Sequence, residues 1–375
     1  MSSVNPLASE DLALVPRPPA ALRRVRLLVA GHTGRVGSRL VQLIAAQRAR
    51  LATQSHLELH VSCQVNRSQC LWHDAEAPWR KEIALRQEGD WPTVLRRFAA
   101  APGPKLLVDC TASAEVAALY LECFGAGLGV VTANKIANSG SSAQHRELQR
   151  AALRSQVAYR YETTAGAALP LLAPLADLRA SGDELTRVEA VLSGTLSFVF
   201  QRMHQGLAFS AAVREARDLG YSEPHPAEDL KALDSARKLV ILLREAGVTL
   251  EPEQVRVQGL SPPALEGETD PERYLAALAA YDAQWAERLE ACRRQGTRLA
   301  CLAQYDGREA SIGVTPISAA DAFGHLGPGE TLVRAWTRRY QAVPLSIAGP
   351  GAGTEVTAGG LLTDILKAAT LSQRN

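Results

Sequence analysis

Long hydrophobic runs are missing from this sequence. Nowhere do apolar residues extend over the ~18–20 positions that a membrane span needs, which excludes a transmembrane helix by pattern. The first residues lack a basic segment followed by an apolar core, so a secretory signal is not expected and the anticipated location is cytoplasmic. No sign of charge dominates: 41 Lys and Arg face 39 Asp and Glu, for a net charge of +2. That balance gives no electrostatic footing for nucleic acid or an anionic membrane. Cysteine is sparse. The six residues Cys63, Cys70, Cys110, Cys123, Cys292 and Cys301 form no CxxC pair and no His/Cys cluster. Free buried thiols in a reducing compartment are expected rather than disulfides. Zinc-type ligand spacing, a GxSxG elbow, internal repeats and long low-complexity segments are all absent.

What remains is ordinary soluble material, 46% apolar and 21% charged, and 375 residues leave room for two domains. One stretch organises the rest: Gly220 through Lys238. Gly220, Ser222, Pro224 and Pro226 predict a turn, because Pro lacks an N–H and fixes φ. From Asp229 the apolar residues Leu230, Leu233, Leu239, Leu242 and Leu243 recur at helical spacing, predicting a helix that runs to Gly247. Asp234 and Lys238 then share a face, and Glu223 is expected to fold over it from the turn. Two carboxylates and an amine suit proton transfer at an alcohol or carbonyl. By spacing alone the same pair reads first as a solvated ion pair on a helix, worth about 0.3–0.5 kcal/mol.

Taken in order, residues 1–22, with four prolines, read as a flexible arm. Arg24–Ala30 is an apolar strand, Gly31-His32-Thr33-Gly34-Arg35-Val36-Gly37 a glycine-rich turn, and Ser38–Ala46 a helix. Strand, glycine turn and helix together predict a dinucleotide site, since glycines admit a pyrophosphate and a helix N-terminus attracts it. The pattern is GxxGxxG, with His32 where the first Gly of GxGxxG is usual. The next strand, Leu57–Val65, ends in Asn66-Arg67-Ser68 rather than in the Asp or Glu of an NAD site, and Arg67 favours NADP over NAD. Residues 71–103 read as peripheral helices. Lys105–Cys110 and Gly129–Thr132 read as buried strands, followed by Thr111-Ala112-Ser113 and by Ala133-Asn134-Lys135. Alternation to about residue 155 predicts a doubly wound parallel sheet. Beyond it, Tyr159–Pro170 reads as a strand entering a small-residue loop, 271–297 as one amphipathic helix, and 298–304 and 310–314 as strands of an α+β second domain. The glycine-rich turn at 349–353 before a helix from Thr357 predicts that the chain returns to the cofactor.

With these motifs in place the chain resembles homoserine dehydrogenase, most of all the dehydrogenase half of bacterial aspartokinase–homoserine dehydrogenases. The resemblance rests on Ala216, Gly220, Glu223-Pro224-His225-Pro226, Asp229-Leu230, Asp234 and Lys238. Val131–Lys135, Tyr161-Glu162-Thr163, Ser193–Ser197 and Gly351-Ala352-Gly353 support it, and together the matches reach from residue 24 to 372. It implies NAD(P)-dependent interconversion of L-homoserine and L-aspartate 4-semialdehyde in threonine, methionine and isoleucine synthesis. It implies Lys238 as acid/base and Lys135 beside the reacting carbonyl. It places Glu223, Asp234, Thr164, Ser193, Gly194, Thr195 and Asp229 around the substrate. Gly31, Thr33, Gly34, Arg35, Val36, Gly37, Asn66, Arg67, Thr111, Ala112, Ser113, Lys135, Gly220, Glu223 and Gly353 are implied at the cofactor. Glu162, Ala165, Ala167 and Leu169 match a monovalent-cation loop for a structural Na+. A homodimer through the second domain is implied.

The implied division is an arm to residue 22, a nucleotide domain 23–155 completed by 350–375, and a substrate and dimerisation domain 156–349. Ala232 and Ala168 stand where the family has Gly, and His225 where Asp is frequent. Without a kinase or regulatory domain, feedback inhibition of the usual allosteric kind is not expected. Two other readings use the same scaffold: a reductase of another small aldehyde or hydroxy acid, and a silent nucleotide-binding protein. The second has no use for Lys135, Glu223, Asp234 and Lys238.

Overall fold

The computed structural model describes residues 22–73, 81–85 and 90–371. The expected N-terminal arm lies almost wholly outside the described residues.

Strands β1 (Arg23–Ala30), β2 (Leu57–Val65), β3 (Gln69–His73), β4 (Lys81–Leu85), β5 (Lys105–Asp109), β6 (Gly129–Thr132) and β7 (Tyr159–Arg160) form one sheet in the order β4-β3-β2-β1-β5-β6-β7. The five strands from β2 to β7 in that order are parallel, while β3 and β4 extend the edge antiparallel. The chain leaves β1 toward β2 and later returns to β1's other side as β5. That reversal opens a crevice at the strands' C-terminal ends, where nucleotides bind in such sheets. The helical reading of 71–103 is corrected here. Residues 69–73 and 81–85 are strands, with Trp72 opposite Cys63 on β2, and among the described residues of this stretch Trp91–Ala99 alone is helical.

Helix α1 (Arg35–Ser55) is longer than expected at both ends, with Leu40, Ile44 and Leu51 buried against the sheet. Helix α2 (Ser142–Arg154) follows β6. The second half begins with α3 (Leu172–Ala180) and carries α4 (Gly194–His204), α5 (Ala227–Leu230) and α6 (Leu233–Glu245). Its sheet contains β8 (Leu185–Val191), β9 (Val255–Val257), β10 (Thr297–Tyr305), β11 (Ala310–Ser318), β12 (Glu330–Thr337) and β13 (Leu345–Pro350), in the order β13-β12-β8-β10-β11-β9. Residues 271–294 are two helices separated by a 3-10 turn at Leu278–Tyr281, not one continuous helix.

The last helix, α7 (Thr354–Leu371), packs back on the first sheet. Ala358, Leu361, Leu362, Ile365 and Ala368 share a core with Leu27, Val29, Leu40 and Ile44. Each fully buried Leu or Ile there contributes on the order of 2 kcal/mol, and Arg39 on α1 pairs with Glu355 at the rim. The six cysteines are free thiols, as expected.

Candidate active site

The nucleotide turn owes its shape to two glycines. Gly31 has φ +80°, and a Cβ on it would lie 2.8 Å from Thr111 Cγ2. A Cβ on Gly37 would lie 2.3 Å from the Gly31 carbonyl oxygen, so α1 can start hard against the turn only with glycine there. Gly34 is the N-cap of α1 and brings no side chain to the first-turn N–H groups. Those donors and the positive end of the helix dipole are left for an anion.

Above them a cavity of about 880 Å³ is lined by Gly31, Thr33, Gly34, Asn66, Arg67, Thr111, Ala112 and Ser113. Its position, its uncapped helix end and the guanidinium at its rim fit a dinucleotide. The expected Arg35, Val36 and Gly37 build the start of α1 beside this cavity. Asn66 also shapes the chain around it. Its Oδ1 accepts the N–H groups of Ser68 (2.9 Å) and Gln69 (2.8 Å), which pins the β2–β3 turn.

Asp109, fully buried at the end of β5, organises the floor. Its carboxylate accepts the Thr111 N–H (2.8 Å) and hydroxyl (2.7 Å), the Tyr120 hydroxyl (2.7 Å) and the Asn134 amide (3.0 Å). Burial pushes its carboxyl up, against these four donors. Asn134 also donates to the Ser113 carbonyl (2.9 Å), tying the ends of β5 and β6 together. Lys135 leaves this knot as the next residue. Tyr120 carries no motif that sequence reasoning could single out. An Asp inside the apolar run Val108-Asp109-Cys110 was the available signal, since a buried carboxylate demands partners.

The central stretch is two helices, not one. α5 ends at Leu230 and α6 starts at Leu233, with Ala232 in the left-handed region (φ +57°) between them. The Leu230 carbonyl accepts the Leu260 N–H at 2.6 Å in place of a bond within a continuous helix. The break aims the first turn of α6 at Lys135. Asp234 Oδ1 lies 3.3 Å from Lys135 Nζ, and Asp234 Oδ2 lies 3.0 Å from Lys238 Nζ. Lys238 is buried and also donates to the Leu192 carbonyl at 2.8 Å.

Burial pushes the Lys135 ammonium below the usual lysine value, with the Asp234 charge opposing. Desolvation pushes the Asp234 carboxyl up, but the ammonium groups of Lys238 and Lys135 outweigh it and hold the group well below the usual carboxylate range. The pair is therefore more than the isolated helix pair that spacing alone allowed, although the Asp234 side chain is 55% exposed. It is a three-group cluster built from both halves of the chain.

Glu223 does not close over this cluster. Its side chain is exposed and, among the described residues, pairs with neither lysine; its N–H donates to Asp229 Oδ2 at 2.8 Å. Asp229 is committed to scaffolding, for its other oxygen lies 2.9 Å from the Thr195 hydroxyl, which also approaches the Tyr221 carbonyl at 2.5 Å. Ser193 caps α4 by accepting the Leu196 N–H (3.1 Å), and Gly194 packs against Gly329. Thr164 is fully buried and donates to the Tyr161 carbonyl at 2.6 Å, so its hydroxyl faces no ligand space. Gly220 (φ +77°) and Gly353 (φ +110°) occupy turns.

In the expected cation loop, the Glu162 carboxylate accepts the N–H groups of Leu171 (2.7 Å), Leu172 (2.6 Å) and Ala173 (3.0 Å), closing the N-terminus of α3. The Leu169 carbonyl accepts from Leu171, and Ala167 O abuts Gly360. With Ala165, these residues offer a monovalent cation backbone carbonyl oxygens, donors that suit a hard ion, while the Glu162 carboxylate is engaged by backbone N–H groups. No chemical step is routed through a cation.

A nucleotide cavity beside a lysine–aspartate–lysine cluster is the layout of a dinucleotide-dependent oxidoreductase. The family signature "Homoserine dehydrogenase" matches residues 170–366, and "Homoserine dehydrogenase, NAD binding domain" matches residues 33–162. The chain belongs to the homoserine dehydrogenase family. It is 34% identical over 346 residues to the bifunctional aspartokinase/homoserine dehydrogenase 2, chloroplastic, of Zea mays, covering 90% of this chain. It spans only 38% of that relative's length.

Among solved structures it is similar to a Candida auris protein of unknown function (TM-score 0.83, 29% identity, covering 93% of this chain and 98% of that one). A hyperthermophilic archaeal homoserine dehydrogenase in complex with NADPH shares the fold (TM-score 0.68, 23% identity, covering 92% and 98%). Among the described residues no helix is long and apolar enough to cross a membrane.

Proposed function

We propose that this chain catalyses L-homoserine + NAD(P)+ ⇌ L-aspartate 4-semialdehyde + NAD(P)H, the reaction of threonine, methionine and isoleucine synthesis. The observation that carries the reading is Asp234 held between Lys135 and Lys238 at the end of β6, next to the nucleotide cavity. A nicotinamide dinucleotide bound in the cavity would supply the hydride chemistry, as acceptor from the alcohol carbon or, reduced, as donor to the aldehyde.

The chain's own residues do the rest. Gly31, Gly34 and the α1 N-terminus hold the pyrophosphate, and Thr111, Ala112 and Ser113 face the nicotinamide side. Lys238 takes the hydroxyl proton in its neutral form and gives it back as an ammonium. Lys135, whose charge burial already disfavours, stands beside the reacting oxygen. Asp234 keeps both nitrogens oriented and balances their charge. Asp229 and Thr195 act one layer behind, fixing the 221–223 turn.

We assign nucleotide binding to residues 23–155 with α7, and substrate binding and homodimer formation to 156–349. A cytoplasmic location accompanies this reading. NADP is the favoured cofactor because Arg67 lines the rim of the cavity and no carboxylate ends β2.

The test is absorbance at the nicotinamide band with L-homoserine and NADP+ or NAD+. Growth of the band supports the reading, and silence in both directions ends it. Lys238→Ala is expected to abolish turnover while cofactor affinity stays within a few fold. Near-normal rates in that variant refute its role as the acid/base.

A further inference from the structure

A second cavity, of about 350 Å³, opens where α2 meets α3 and the C-terminal end of α6. Four arginines reach it: Arg146 and Arg150 from α2, Arg179 from α3 and Arg244 from α6, with His145 and Glu245 beside them. Arg146 and Arg150 sit four apart on one face of α2, and His145 and Gln149, also four apart, adjoin them.

These positive charges are poorly compensated. The Arg146 guanidinium donates only to the Ser142 hydroxyl (3.2 Å), and that of Arg179 to the Arg244 carbonyl (3.4 Å). Among the described residues, Arg146, Arg150 and Arg179 are in no ion pair. Arg244 is buried, donating to the carbonyls of Asn138 (2.9 Å) and Leu250 (2.9 Å), with Glu251 at 4.0 Å. The cavity's one carboxylate, Glu245, accepts the Tyr161 hydroxyl at 2.5 Å, and burial pushes its carboxyl up. His145 is 9% exposed and its buried Nδ1 has no hydrogen-bond partner. Burial, then the charges of Arg244, Arg179 and Arg146, hold this imidazole down to about 4. A buried ring nitrogen left unpaired beneath unpaired guanidinium groups is costly unless something fills the space.

We propose that this cavity binds a small, multiply charged oxyanion of the phosphate class, held by Arg146, Arg150 and Arg179 with His145. Planar guanidinium forks match phosphoryl oxygens bidentately, and three of them from two helices surround such a group from different sides. The site is separate from the catalytic cluster, since Arg244 lies six residues, about 9 Å along the axis, beyond Lys238 on α6. It also spans the halves of the chain: α2 belongs to the first, α3 and α6 to the second.

The full chain, with saturating NADP+ filling the nucleotide cavity, is titrated calorimetrically with sodium pyrophosphate, and hydrogen exchange locates the binding. One pyrophosphate per chain is expected, with protection at residues 142–150 and 247–249. The exposed pair Arg146→Gln/Arg179→Gln is expected to weaken binding tenfold or more. The remote exposed pair Arg293→Gln/Arg338→Gln should leave it within twofold. Equal weakening by both pairs overturns the site in favour of diffuse charge attraction. Absence of protection at 142–150 in the unmodified protein overturns it without any variant. Binding of citrate with pyrophosphate silent overturns the phosphate class.

Discussion

Asp234 is shared: one carboxylate oxygen faces Lys135 Nζ at 3.3 Å, the other Lys238 Nζ at 3.0 Å. Replacing it by Asn leaves two ammonium groups facing each other without a counter-charge. Lys135, already pushed down by burial, then loses the Asp234 charge that raised its pKa and falls further. Turnover is expected to drop about 100-fold, the scale of a misplaced acid–base group. In the reduction direction the reaction needs an ammonium, which exists only below the lysine pKa. The alkaline limb of the pH–rate profile should therefore move to lower pH in Asp234→Asn. A limb that stays in place means that Asp234 does not set the charge of the pair.

Arg67, just beyond the end of β2, lines the nucleotide cavity. Arg67→Ala is expected to lower kcat/KM for NADP+ by about tenfold or more, the worth of a charge-assisted contact. The value for NAD+ should change by less than about twofold, because NAD+ has no 2′-phosphate to lose. Parallel kinetics with both cofactors decide it, and equal losses remove Arg67 from the specificity argument.

Ala232 takes φ +57° between α5 and α6, a conformation that costs an L-residue roughly 1–2 kcal/mol. Ala232→Gly removes that strain but adds chain entropy to the unfolded state. A net gain of about 0.5–1 kcal/mol is expected, read as a higher calorimetric Tm. An unchanged or lower Tm shows that the break is not a strained point.

Asp364 on α7 is buried, accepts the Glu162 N–H at 3.0 Å, and is pushed up to about 6 by burial and then by the Glu162 charge. An unfolded Asp titrates near 4. Between about pH 4 and 6 the folded chain thus binds more protons than the unfolded one, and stability from this group falls as pH rises. Asp364→Asn is expected to stabilise the protein by about 1–3 kcal/mol at pH 7.5 and to change little at pH 4. Thermal unfolding of both proteins at the two pH values reads this out, and an equal effect at both would refute it.

The parallel strands of the first sheet were legible because each is a short run closed by small or polar residues. The glycine turn was legible because only glycine fits its two tightest positions. The pairing of Lys135 with Asp234 was not. They lie 99 positions apart, and neither periodicity nor motif spacing reports which loops meet. Glu223 was misplaced for the converse reason. It is near Asp234 in the chain, but the Asp229–Thr195 contact holds its turn from behind and leaves its carboxylate in solvent. The helix break at Ala232 was hidden because alanine is a strong helix former; the cause lies in the 259–261 segment, which takes the Leu230 carbonyl. The β3–β4 edge was read as helix because tryptophans and charges show no clear period of two.

Because α7 covers α1 and β1, β1 waits during synthesis for a helix far along the chain to cover one face. Over 180 residues of the other half are synthesised in between. During that interval Leu40 and Ile44 lack their partners Leu361 and Ile365, an apolar seam open to wrong partners. Contacts of such sequence separation also slow folding. The second half can settle around its own core while the chain is still being made, whereas the cofactor-binding half becomes a finished body only once translation has delivered its closing helix.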